Sequence, residues 1–187
     1  MHHGMKTLQL LLIVVSVFAV ATCRTVEVLP ADKEVFVRVA DLARFDVAYE
    51  NAEALEKFTK TRYLDGSIQV EYEFETPESD SEALYLAESF SLDPKKSDAR
   101  VGGAVEDSAI SVALKIYGVE KVEVPNFFKY GESSAFYVLK RDGREVGNYF
   151  TLRDGRKNFY LFMVGLYIDD PEIWREVAEP RLRKLTE

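Results

Sequence analysis

The tetrapeptide Arg-Asp-Gly-Arg occurs twice, at 141–144 and 153–156, and each copy separates runs with strand character. Asp-Gly at the centre of a tight loop adopts the positive backbone dihedrals that join antiparallel strands with the correct twist. The repeat therefore predicts a meander of three strands, Ala135 to Lys140, Glu145 to Arg153 and Lys157 to Ile168. Phe159 to Tyr167 is nearly all apolar, the pattern of a strand covered on both faces, which places the last strand centrally in its sheet.

Helical signals flank the meander. Asp169-Asp170-Pro171 caps a final helix through Leu185 that buries Ile173, Trp174, Val177, Leu182 and Leu185, with Pro180 kinking or splitting it. Upstream, Asp93-Pro94 opens a principal helix with Pro94 at its first position and Gly118 as its stop. Its apolar stripe is Val101, Val105, Ala109, Val112 and Ile116, while Ser97, Asp98, Glu106 and Lys115 lie away from it. Gly102-Gly103 weakens that helix by about 1 kcal/mol per glycine. The pair either admits a close strand or marks the true helix start. Val119 to Val124 is a short strand closed by Pro125.

In the N-terminal half, Val35, Val37 and Val39 alternate with Phe36, Arg38 and Ala40 as a first strand. Between Asp41 and Lys57 helical spacing (Leu42, Phe45, Tyr49, Ala52, Leu55) competes with a loop leading to a strand over Lys57 to Leu64. Asp65-Gly66 is a hairpin turn, after which Ile68, Val70, Tyr72 and Phe74 alternate with Gln69, Glu71, Glu73 and Glu75. One face is thus buried and the other acidic and solvated. The acidity continues through Pro77, Glu78, Asp80 and Glu82, but the spacing matches no calcium loop. Ala83 to Leu92 is a further strand.

The extreme N-terminus carries Lys6, an apolar core from Leu8 to Phe18 and the small-residue end Ala19-Val20-Ala21-Thr22, the three parts of an export signal. The uninterrupted run is shorter than the roughly 20 residues that cross a bilayer core. Val20-Ala21-Thr22-Cys23 resembles the lipobox of bacterial lipoproteins, in which the cysteine becomes the acylated first residue; Thr22 departs from the usual Gly, Ala or Ser. Ala19-Val20-Ala21 also satisfies an ordinary cleavage site, leaving the thiol free. Cys23 is the only cysteine, so a lipid anchor accounts for an odd thiol that has no disulfide partner. The expected organisation is a signal over 1–22, a lipid-anchored tether over 23–32 and a single α+β domain over 33–187. Arg24 stands where inner-membrane retention commonly uses Asp, so the expected location is the outer membrane, facing the periplasm.

Composition removes whole classes of chemistry. His2 and His3 precede the signal core, leaving the mature domain without histidine or a usable thiol. Histidine acid–base catalysis, Ser-His-Asp and Cys-His nucleophiles, and His- or Cys-built zinc sites are thereby excluded. The chain carries a net charge of −8, and Lys6, one of its cations, lies in the signal. Bulk charge therefore disfavours nucleic acid and anionic head groups. Neither a cofactor nor a metal site is expected.

The meander from Ala135 to Ile168 and the helix from Pro171 to Leu185 resemble the PsbP-like family, which includes bacterial lipoproteins of the DcrB type. The resemblance implies an antiparallel sheet with helices packed on both faces, an α/β/α sandwich, and a non-catalytic module that binds an envelope protein. Two other functions are weighed against it. Phe127, Phe128 and Tyr130, beside Pro125 and Gly131, form a candidate rim for an apolar or aromatic ligand, or else fold back on the core. A carboxylate hydrolase needs two acids in one cleft; Asp169 and Asp170 are adjacent, but an Asp-Pro helix start explains them.

Overall fold

Two antiparallel meanders meet along one seam. The computed structural model describes residues 23–45, 52–76 and 84–186. The N-terminal meander is β1 (Cys23–Thr25), β2 (Lys57–Tyr63), β3 (Ile68–Glu75) and β4 (Tyr85–Leu92). The C-terminal one is β5 (Val119–Glu123), β6 (Ser133–Arg141), β7 (Arg144–Asp154) and β8 (Lys157–Val164). They join through β4 and β8, paired antiparallel from Tyr85↔Val164 to Leu92↔Lys157. The sheet order is β1-β2-β3-β4-β8-β7-β6-β5, so the apolar strand β8 is central, as its sequence requires. Short helices α1 (Pro30–Lys33) and α2 (Ala52–Leu55) precede β2, α3 (Lys96–Ile116) follows β4, and α4 (Pro171–Thr186) follows β8. The chain is α+β.

The period of a strand sorts its side chains onto two faces. On one face Trp174, Val177, Leu182 and Leu185 of α4 join Phe136, Phe150, Leu152, Phe159 and Leu161 in the larger core. On the other, Ile110 and Leu114 of α3 join Tyr85, Tyr149, Tyr160 and Phe162. Asp170 caps α4 as expected, its Oδ1 accepting from the Glu172 N–H at 2.8 Å. The helix runs through Pro180 as a single element.

The repeated tetrapeptide folds in two ways. Asp142 and Gly143 both have positive φ (51° and 76°), the pattern of a type I′ turn. In the second copy Asp154 still pairs with Lys157, so Gly155 (φ 62°) takes the first central position, as in type II′. A register shift at Leu139/Lys140 separates the two cases.

Several expectations are corrected. The segment from Val35 to Val39 is not a strand: Val35, Phe36, Val37 and Val39 are all buried, and a 3-10 helix runs over Val39–Phe45. Side chains satisfy its backbone donors, with Glu88 Oε2 accepting from Val37 N (3.1 Å) and Asp41 Oδ2 from Arg38 N (2.8 Å). Residues 23–32 are not a free tether. Cys23, Arg24 and Thr25 pair with Tyr63, Arg62 and Thr61, and Asp32 holds Lys60 at 2.7 Å. The principal helix begins at Lys96, two residues beyond Pro94. β8 stops at Val164, where Gly165 (φ 96°) breaks the strand. Asn148, fully buried, then clamps Ile168, donating to its carbonyl (3.2 Å) and accepting from its N–H (2.8 Å). The acidic turn with Glu78, Asp80 and Glu82 lies outside the described residues.

A Cβ on Gly147 would stand 1.9 Å from the backbone oxygen of Met163 on β8. Gly147→Ala is therefore expected to destabilise the fold by more than about 2 kcal/mol, because backbone must move in the seam-bearing half of the sheet. Denaturant unfolding measures this.

Candidate functional site

Helix α3 is inverted relative to its sequence pattern. The valine stripe expected against the sheet faces solvent, with Val101, Val105, Val112 and Ile116 exposed by 64%, 62%, 60% and 73%. The buried positions are Ala99, Ile110, Ala113 and Leu114. The inward face therefore carries small residues in its first half and large apolar ones in its second.

The reason is the close approach of β8. Asn158 donates to the Ala99 carbonyl at 2.9 Å and to Asp93 Oδ2 at 3.2 Å, tying the strand to the first turn of the helix. A Cβ on Gly103 would meet Asn158 Oδ1 at 2.9 Å. Of the two roles open to Gly102-Gly103, admitting a strand is the one observed.

One turn beyond the glycines the same inward face carries Glu106, which was expected to point away from the core. It lines a cavity of about 190 Å³ between α3 and the sheet, together with Arg100, Asp107, Tyr149, Arg153 and Tyr160. Burial pushes the Glu106 carboxyl up to about 7, and the charges of Asp93 and Glu71 add to the shift. Glu71 is itself raised, by burial and then by Glu73. Asp93 is raised by burial and by Asp65 and Asp98, with the Asn158 hydrogen bond opposing. The alternating glutamates of β3 are thus not a freely solvated row, since Glu71, Glu73 and Glu75 are all partly buried.

The other wall is aromatic. Tyr149 donates to Asp107 Oδ1 at 3.1 Å, and Lys121 donates to the same oxygen at 2.7 Å. The Lys121 ammonium lies 4.4 Å from the Tyr137 ring centroid and 5.0 Å from that of Tyr149. Burial, then Asp107, holds the Tyr149 hydroxyl well above its usual range. Such a site leaves Glu106 about half protonated near neutral pH, and its protonated form can donate to a small polar guest.

Phe127, Phe128 and Tyr130 are elsewhere. Phe127 stacks on Phe136 with centroids 4.0 Å apart, Phe128 is buried 5.5 Å from Phe150, and Tyr130 stacks on Phe128. They fasten the loop after β5 to the core beneath α4. Cys23 is exposed at the first position of the edge strand β1. Sequence reasoning missed Glu106; the glycine pair three and four residues before it was the signal, because it marks which face the sheet approaches.

No family model, curated protein or solved structure matches this chain.

A carboxylate raised from 4.5 to about 7 on folding contributes stability that is complete below about pH 4.5 and lost as pH rises through 7. Glu71 and Asp93 add slopes of the same sign. Glu106→Gln is expected to flatten this part of the stability–pH curve and to make the domain about 2 kcal/mol more stable than the parent at pH 8. Thermal unfolding across pH 4 to 8 checks it.

Proposed function

We propose that this chain is an exported, lipid-anchored, non-catalytic binding module of the bacterial cell envelope, docking a protein partner on the outer face of α3. The observation that carries the reading is the exposed row Val101, Val105, Val112 and Ile116. It extends about 22 Å along the helix. Fully burying each such side chain is worth roughly 1.5–3 kcal/mol, a gain that ordering and association then reduce. The row is flanked by Ala104 and Ser108, small enough to let a partner helix or strand lie close. An apolar stripe turned outward, while a carboxylate is turned inward, reverses the ordinary economy of a helix on a sheet.

Anchoring rests on Cys23, which stands exposed at the head of the domain. The outer membrane, facing the periplasm, is the proposed location. A sheet covered by α3 on one face and α4 on the other is consistent with the PsbP-like sandwich.

A small-ligand binder is the second reading, and the cavity beside Glu106 favours it over the Phe127–Tyr130 loop, whose aromatic rings pack against the core. Hydrolysis has less support. Glu71, Glu106 and Asp93 are all shifted upward, whereas an acid–base pair needs its two values driven apart.

A photoreactive side chain at Val105 is expected to give a discrete adduct in intact cells. Val101→Asp with Val112→Asp is expected to abolish that adduct while leaving unfolding free energy within about 0.5 kcal/mol, since both sites are exposed. An adduct that survives the double substitution, or none at all, would count against the docking face. For the anchor, the intact mass is expected to begin at Cys23 plus acyl chains, and Cys23→Ser to lose them.

A further inference from the structure

The cations of this acidic chain are not spread evenly. Arg24 and Arg62 stand directly opposite each other in the β1–β2 ladder, where like charges repel. Across β3 the next residue in the row is Ile68, which supplies no counter-charge. Neither arginine has an ion pair among the described residues.

Register places other cations at the same end of the sheet. The β2–β3 turn, the end of β4 at Leu92, the start of β8 at Lys157 and the β7–β8 turn all lie there. Helix α3 starts four residues after the end of β4, bringing Lys95, Lys96 and Arg100 to this end, and Arg156 donates to the Pro94 carbonyl at 3.2 Å. The row from β1 to the β7–β8 turn spans about 20 Å at the usual strand spacing. Of the carboxylates at this end, Glu132 is ion-paired with Lys96, which takes that lysine out of the free cations. Asp65, Asp98 and Asp93 hydrogen-bond only to the neutral Ser67, Ser97 and Asn158, so the unpaired positive charge is concentrated at Arg24 and Arg62 on the β1–β2 edge. Asp154 is half-buried. Leu64, 82% exposed, is the apolar tip of the β2–β3 turn.

We infer that this end of the sheet docks on the head groups of an anionic bilayer, with Arg24 and Arg62 sharing lipid phosphates and Leu64 dipping between them. Cys23 is the residue next to Arg24 and pairs with Tyr63 next to Arg62, so the proposed anchor leaves from the same end with no spacer. The domain then stands end-on, with the outer face of α3 directed sideways toward a partner. The inference builds on the anchored reading for its geometry, yet the cationic end would bind without acylation. A net charge of −8 opposes anionic surfaces only when averaged over the molecule.

The test uses the exported chain with Cys23→Ser, floated with vesicles of phosphatidylcholine alone or with added phosphatidylglycerol, at low and high salt. Binding is expected only with phosphatidylglycerol, to fall with salt, and to drop about 20-fold in Arg24→Gln with Arg62→Gln, taking each cation as worth about fivefold in partitioning. The same double variant is expected to unfold no earlier than its parent, because a repulsion is removed; earlier unfolding would mean that the arginines are structural, and would overturn the proposal. Equal flotation on both vesicle types, or displacement by millimolar inorganic phosphate at constant ionic strength, would also overturn it, the latter in favour of a free-anion site. An acylated native mass with no dependence on phosphatidylglycerol would leave the anchor standing and sink the docking surface, whereas phosphatidylglycerol-dependent flotation of a chain that is never acylated would do the reverse.

Discussion

Eight residue pairs between β4 and β8 hold this molecule together. Each half is an antiparallel meander whose strands pair with sequence neighbours, and nothing else in the sheet joins the halves. Both strands are buried on two faces over most of their length, so the seam lies where solvent does not compete for its hydrogen bonds. Both long helices leave from it, α3 after β4 and α4 after β8. Two buried asparagines set those departures: Asn158 binds the first turn of α3, and Asn148 clamps Ile168 ahead of α4. A buried amide with its donors and acceptors satisfied specifies geometry in a way that apolar contacts cannot.

The approach of Asn158 decides how α3 lies. With glycine at 102 and 103 facing the strand, the helix must turn its valines outward and accept Glu106 inward. The exposed stripe and the perturbed carboxylate are thus two consequences of one close contact. One face offers apolar area to a partner; the other, by burial, raises a carboxylate to about 7. Elsewhere Glu88 is also held well above its normal range, by complete burial, and gives one oxygen to the Val37 amide. The acid there replaces the backbone partner that a strand over Val35 to Val39 would have found.

Charge follows position in the same manner. The end bearing Cys23 gathers Arg24, Arg62, Lys95, Lys96, Arg100 and Arg156 from four separate stretches of chain, beside the carboxylates Asp65, Asp93, Asp98, Glu132 and Asp154. No window of sequence contains that cluster. It exists because antiparallel register returns the ends of alternate strands to one edge.

Local signals were sufficient for much of this fold. The paired Asp-Gly turns, the alternation in β3, the apolar run of β8 and the Asp-Pro cap of α4 each state a preference that short-range sterics and hydrogen bonding enforce, and each is seen in the structure. What required the tertiary structure was every choice between two faces or two partners. Helical periodicity identifies an apolar stripe on α3 without saying whether the sheet or the solvent receives it, and β8 settles that through Asn158. Alternation at Val35 to Val39 resembles a strand until Glu88, fifty-one residues away from Val37, takes the backbone donor. One tetrapeptide yields two turns because the strand register around it differs. Periodicity fixes angles along an element; only packing fixes what lies opposite.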